Sequence, residues 1–384
     1  MPLPDGAAGN TLPPLSLYIH VPWCVKKCPY CDFNSHALTG DIPENSYLNA
    51  IMDDLAGDLA LVQGRPIQTV FIGGGTPSLM SPDFYNTLFE RLRAHLLFSD
   101  DAEITLEANP GTVEQARFNG FRSAGINRLS IGIQSFNPKR LIALGRIHDD
   151  TAAHRAIEAA RDAGFDNFNL DLMHGLPGQT PAEAIDDLAA ALAWNPPHLS
   201  WYQLTLEPNT EFYSRPPKLP DDDHLWEIYR QGADYLHQQG FTDYEVSAWS
   251  RPGMASRHNL NYWMFGDYLA LGAGAHGKVT FGNGDIRRFW KTRQPEAYLN
   301  RIGSRTAGSQ LVEPDERPLE FLMNALRLTS GVSENLFTER TGLPLSTVAV
   351  KLEELRKENM LEPGRIQTTE LGQRYLNSLL ERFL

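Results

Sequence analysis

The stretch Tyr18-Ile19-His20-Val21-Pro22-Trp23-Cys24-Val25-Lys26-Lys27-Cys28-Pro29-Tyr30-Cys31 decides how this chain is read. Its 3 cysteines are the only ones in 384 residues. Disulfides consume cysteines in pairs, so an odd, tight cluster points to metal ligation instead. Three thiolates do not close a four-ligand cage. Either a fourth residue completes it, or one position stays open for a substrate. The C-x3-C-x2-C spacing is compatible with an iron–sulfur cluster. The competing reading is structural zinc with His20 or His36 as fourth ligand. Zinc ligands usually come as two separated pairs, whereas this is one compact loop, which favours iron–sulfur.

Outward from the loop, apolar β-branched runs alternate with helical patterns. The runs are Ser16–Val21, Thr69–Gly73, Glu103–Ala108, Arg128–Gln134, Asn167–Met173 and His198–Leu204. The helical patterns are Glu44–Leu61, Pro82–Leu97, Thr112–Ala124, Thr151–Ala163 and Pro181–Ala193. Ser81-Pro82-Asp83 and Thr180-Pro181-Ala182-Glu183 are good helix starts, with an oxygen-bearing cap before proline. This alternation predicts parallel strands with crossover helices. Polar or glycine-rich segments follow strand after strand, at Cys24–Cys31, Gly73–Pro77, Glu107–Pro110, Gln134–Phe136 and Asp171–Gly175. Barrels carry their chemistry at several strand ends, and open sheets at one switch point. The expected fold class is therefore α/β, a partial (β/α)6 barrel over residues 15–243.

Residues 1–14 read as a flexible Pro/Gly-rich lead-in. An α+β, aromatic- and Gly-rich connecting region is expected over 244–312. Residues 313–384 give helix, helix, helix and a short β-like wing, a small winged-helix-like domain. A DNA reader needs a basic recognition helix. Residues 311–384 hold 9 Lys/Arg against 12 Asp/Glu, so a docking or structural role is expected. The net charge of −13 likewise argues against nucleic acid as a partner. No run approaches the ~18 apolar residues of a membrane span. The first residues lack the pattern of a secretion signal, and free thiolates suit the cytoplasm.

Tyr18-x-His20-x-Pro22-Trp23-Cys24-x3-Cys28-x-Tyr30-Cys31 resembles the cluster motif of the radical S-adenosylmethionine (SAM) superfamily. That resemblance implies a [4Fe–4S] cluster on Cys24, Cys28 and Cys31, with SAM chelating the open iron and yielding a 5′-deoxyadenosyl radical. It implies SAM contacts from Tyr18, Tyr30 and the Gly74-Gly75-Thr76 segment, and from Glu107, Gln134, Arg146 and Asp171. Taken alone, Gly73-Gly74-Gly75-Thr76-Pro77 is a weak signal, neither a Rossmann fingerprint nor a P-loop. Asp171 sits in an apolar strand, where a carboxylate needs hydrogen bonds.

The match is closest to the branch of oxygen-independent coproporphyrinogen III oxidases and related haem chaperones. The oxidases carry a fourth cysteine two residues after the third; here Phe33 holds that place. His258-Asn259-Leu260-Asn261-Tyr262-Trp263 resembles the chaperones' haem-binding signature. Haem on His258 is thus implied, with His276 of Gly274-Ala275-His276-Gly277 as a second candidate. The implied partners are haem and acceptor haemoproteins, membrane respiratory complexes among them, and a cluster-dependent homodimer. Oxidase activity, another radical SAM reaction and a zinc scaffold stand as alternatives.

Overall fold

The computed structural model describes residues 12–111, 115–147 and 149–384. Most of the lead-in, the start of the helix expected from Thr112, and His148 lie outside the described residues.

Six strands carry the parallel core: β1 (Leu15–Val21), β2 (Ile67–Gly74), β3 (Phe98–Ala108), β4 (Arg128–Gln134), β5 (Phe168–His174) and β6 (His198–Gln203). Each pairs in parallel with the next. Between them run α1 (Glu44–Val62), α2 (Pro82–His95), α3 (Gln115–Ser123), α4 (Asp150–Asp162) and α5 (Pro181–Leu192). The expected starts are there. Ser81 accepts the N–H of Phe84, and Thr180 forms a reciprocal capping box with Glu183. The crossover helices cover one face of strands that are themselves buried nearly throughout; β4 is buried at every position.

After α6 (Asp222–Gln238), the strands β7 (Thr242–Glu245) and β8 (Ala248–Ser250) add an antiparallel edge beyond β6. The chain then returns through α7 (Arg257–Trp263) to the other side. There β9 (Asp267–Leu271) pairs in parallel with β1, and β10 (His276–Thr280), β11 (Ile286–Lys291) and β12 (Thr306–Leu311) follow antiparallel. The sheet has 12 strands in the order β12-β11-β10-β9-β1-β2-β3-β4-β5-β6-β8-β7. It is mixed and does not close, in line with a partial barrel.

Buried ions fasten the antiparallel extension to the core. The ammonium of Lys291 donates to Asp54 and Asp58 on α1 at 2.6 and 2.5 Å. Asp267 accepts from Lys278 and Arg65 at 2.9 and 2.7 Å. Buried charges without such partners are costly, so these contacts hold the strands to one position.

A second apolar cluster, around Phe321, Leu322, Phe337 and Leu352, forms the C-terminal unit. It contains α8 (Arg317–Ala325), α9 (Glu334–Thr341) and α10 (Ala349–Lys357). The expected β-like wing is reduced to the bridges Val332–Ile366 and Leu361–Thr368. Phe265 and Ile286 belong to the same cluster, so this unit packs on the antiparallel strands.

Candidate functional site

The loop after β1 carries the cysteines. Cys24 is buried, Cys28 and Cys31 are half-buried, and none forms a disulfide. The N–H of Cys31 donates to the Cys28 carbonyl at 3.1 Å, which turns the loop back on itself. Arg146 Nη1 approaches Cys28 Sγ at 3.7 Å. Ser35 Oγ lies 3.6 Å from Cys31 Sγ. Burial raises the Cys24 thiol pKa, and its neighbours Cys31 and Cys28 add to the rise. Burial also raises Cys31. Cys24 and Cys31, which resist ionisation, gain most from a positively charged group that binds their thiolates.

The zinc alternative loses one ligand here. His20 bonds Tyr18 Oη through Nδ1 at 2.9 Å and the Asn34 carbonyl through Nε2 at 2.8 Å. Both ring nitrogens are engaged, and burial lowers its pKa to about 4.

The cysteine loop borders a cavity of about 540 Å³, of ordinary size for a small-molecule site. Tyr30, Gly74, Gly75, Thr76, Glu107, Gln134, Arg146 and Asp171 line it with the three cysteines. They come from the ends of three strands, the middle of a fourth and the loops that follow, an arrangement close to that of a barrel site.

Gly74 has φ +118°, and a Cβ there would lie 2.6 Å from the His20 ring. The N–H groups of Gly74, Gly75 and Thr76 donate to Glu107 Oε2, the Val21 carbonyl and the Trp23 carbonyl. What this segment presents to a ligand is therefore carbonyl oxygen, an acceptor suited to an ammonium group. Burial, with Asp171 nearby, pushes Glu107 up to about 8, against the opposing Gly74 hydrogen bond. Burial raises Asp171 too, although Ser130 and Asn169 donate to it at 3.0 and 2.7 Å. Gln134 sits at φ +68°, a left-handed conformation costly for a non-glycine residue. Its amide oxygen accepts from the Tyr202 hydroxyl at 2.9 Å.

Arg146 is placed by Asn109 Oδ1 at 2.8 Å and the Gly132 carbonyl at 2.7 Å. Asn109 also donates to Thr76 Oγ1 at 3.0 Å. It thus links the glycine segment to the arginine that touches Cys28. The sequence reading passed over Asn109, whose signal was only its place beside Glu107. It also passed over Ser130, Ser200 and Tyr202, which complete the polar wall.

Two expected residues lie elsewhere. Tyr18 faces a neighbouring cavity of about 690 Å³, which shares Phe33, Gly74, Glu107 and Trp263 with the first. His258 lines neither cavity. It is fully buried, with Nδ1 2.7 Å from Thr69 Oγ1 and Nε2 2.8 Å from Tyr262 Oη. Burial lowers its pKa to about 3. The expectation that His258 ligates haem meets an imidazole with both nitrogens in use behind Tyr262. α7 turns this ring into the core.

The fold and the cysteine-lined cavity are those of a radical SAM protein. The radical SAM superfamily model matches residues 18–191, and a HemN C-terminal domain model matches residues 312–375. The solved structure of coproporphyrinogen III oxidase (HemN) from Escherichia coli superposes with TM-score 0.82 at 24% identity, covering 97% of this chain and 90% of that one. Heme chaperone HemW of Escherichia coli is 52% identical over 375 residues, 97% of this chain and 99% of that protein. Heme chaperone HemW of Haemophilus influenzae is 52% identical over 379 residues, covering 97% and 98%. The Bacillus subtilis protein of that name is 33% identical over 364 residues, covering 92% and 93%. The chain belongs to the HemW family.

Proposed function

We propose that this protein carries haem, binding it and handing it to acceptor haemoproteins, on a scaffold that holds a [4Fe–4S] cluster and SAM. The observation that carries this reading is 52% identity, over nearly the whole of both chains, to proteins named heme chaperone. Cys24, Cys28 and Cys31 would hold the cluster. The Gly74–Thr76 carbonyls, Glu107, Asp171, Tyr30, Gln134 and Arg146 would hold SAM. Cluster and SAM together supply one-electron reductive chemistry when bound. The chain's own part is to shape a half-buried site, accept hydrogen bonds from an amine and ribose, and keep Arg146 against Cys28.

Phe33 supports carriage over decarboxylation. It stands where the oxidases of the resemblance have a fourth cysteine, is 60% exposed, and borders both cavities. An apolar ring there offers a surface to a flat macrocycle and no ligand to a metal. The acceptors are respiratory haemoproteins in this reading, and a cluster-dependent homodimer is the working assembly. No helix among the described residues is long and apolar enough to cross a membrane.

The test is anaerobic reconstitution with iron and sulfide, followed by two parallel assays. Haem titration should give a saturable Soret band. Incubation with SAM, a reductant and coproporphyrinogen III should give no vinyl product. Vinyl products without haem uptake would establish the oxidase reading instead.

A further inference from the structure

The turn after β4 holds a residue in a conformation that side chains other than glycine rarely adopt. Gln134 ends β4 at φ +68°, in the left-handed region. The register of β4 against β5 shifts between Gly132 and Gln134, so the strand carries a bulge there. A bulge beside a site re-aims a side chain. Here it brings Gln134 to the wall of the cysteine-lined cavity, where its amide oxygen accepts from the Tyr202 hydroxyl. Backbone strain of this kind persists only where the surroundings hold it.

The holding group comes from outside the cavity. Asp187 lies on α5, is 3% exposed, and borders neither cavity. Its Oδ1 accepts the N–H of Phe136 at 2.7 Å and the Ser135 hydroxyl at 3.0 Å, and its Oδ2 lies 2.7 Å from the same hydroxyl. Ser135 Oγ in turn accepts the N–H of Asn137 at 3.0 Å, and the Ser135 N–H donates to the Ile133 carbonyl at 2.9 Å. One carboxylate therefore fixes the two residues that follow Gln134. Burying a carboxylate is costly. The hydrogen bonds that offset the cost all come from this turn.

A second acid stands one helical turn earlier. Glu183 accepts from Arg140 Nη2 at 2.8 and 2.7 Å. Residues four apart share a helix face, so Glu183 and Asp187 grip the two ends of the segment 135–140. From there the chain runs on to Arg146, which touches Cys28. Two acids at this spacing are ordinarily a solvated helix face. The burial of Asp187 sets this pair apart.

We propose that Asp187 is a positioning residue for the cofactor site. Through Ser135 and Phe136 it keeps Gln134 in its left-handed state at the cavity wall, and so sets the affinity for SAM without touching it. The inference rests on the reading that this cavity holds SAM. Without Asp187 the turn relaxes, Gln134 takes an ordinary strand conformation, and its amide leaves the wall. Only the fraction of molecules that still hold the strained turn then binds well, and the apparent affinity falls by that fraction.

The test uses the full chain, reconstituted anaerobically with iron and sulfide and dialysed to equilibrium against labelled SAM. Thermal melts on the same samples check folding. Asp187→Ala should keep its iron and sulfide and bind SAM about tenfold more weakly than wild type. Asp187→Asn should recover most of that loss, since its amide oxygen still accepts the Phe136 N–H and its amide nitrogen donates to Ser135. Gln134→Gly supplies the decisive background, because glycine adopts a positive φ without strain and has no amide to place. There Asp187→Ala should cause no further loss. If Asp187→Ala melts below the assay temperature, Ser135→Ala replaces it and should show the same loss and the same dependence on Gln134. A loss of equal size in both backgrounds, or no loss in either, overturns the positioning role while SAM binding stands. If wild type binds no SAM, the cofactor reading fails and this assignment fails with it.

Discussion

Glu107 Oε2 accepts the N–H of Gly74 at 3.1 Å, and both residues border both cavities. The partition between the two cavities is thus built from one carboxylate and one glycine, each from a different strand end. A change in either is felt on both sides.

Gly74→Ala is expected to destabilise the fold by about 2 kcal/mol or more, since the new Cβ meets both a disfavoured φ and the His20 ring. His20 is buried and bonded at both nitrogens, so it has little room to give way. A thermal melt compared with wild type measures the loss. An unchanged midpoint would mean that the β2 tip relaxes freely.

Glu107 gives a pH signature. Its carboxyl is raised to about 8, above the ordinary value of 4.5. Between those values the folded chain keeps a proton that the unfolded chain has lost. Stability from this group is therefore complete below pH 4.5 and is eroded as pH rises towards 8. Denaturant midpoints of wild type and Glu107→Gln should diverge across that window, the glutamine variant gaining relative to wild type as pH rises. SAM, with a cationic sulfonium and amine, should bind wild type more tightly above pH 8 than at pH 6.5. The glutamine variant should show a flatter dependence.

The buried histidines act in the opposite direction. His20 is lowered to about 4 and His174 and His258 to about 3, in each case chiefly by burial. Depressed values mean stability that is present above 6.5 and lost as pH falls through the folded values, at most about 1.4 kcal/mol per pH unit for each group. His258→Gln should lessen the acid sensitivity between pH 6.5 and 4. His258→Ala should in addition cost roughly 2–4 kcal/mol, since Thr69 and Tyr262 lose a buried partner. Urea melts at pH 7.5 and pH 5 separate the two effects.

Replacing any one of Cys24, Cys28 and Cys31 by alanine should sharply reduce iron and sulfide after reconstitution. Haem uptake, read on the same samples, should persist in such variants. Iron, sulfide and pyridine haemochrome determinations on the same sample test both halves. Haem uptake lost in step with the cluster would join the two sites into one.

Much of the core was legible because its signals are local. The strand at Arg128–Gln134 was read to the residue, and the caps at Ser81 and Thr180 marked their helices. The cysteine cavity was legible through strand-end chemistry, which depends on the period of the barrel. The pairing of β9 with β1 was not, since its partner lies some 250 residues away in the chain and no short-range pattern records it. The larger cavity was hidden for the same reason: β10 and β11 bring Trp290 and His276 to a wall whose other side is Tyr18. The burial of His258 was not legible, because a motif of His, Asn, Tyr and Trp says nothing of which way a short helix faces. The C-terminal helical stretch is two short helices, Glu370–Arg374 and Leu376–Glu381, parted at Tyr375, where φ −113° and ψ 32° interrupt the turn.

Haem carriage is tested most directly by transfer. Haem-loaded, cluster-containing protein is mixed with a respiratory apo-haemoprotein, and the Soret band is followed after rapid separation of the two. The account predicts that haem leaves with the acceptor, faster than it passes to serum albumin present at the same concentration. Equal rates to both, set only by passive dissociation, would contradict it.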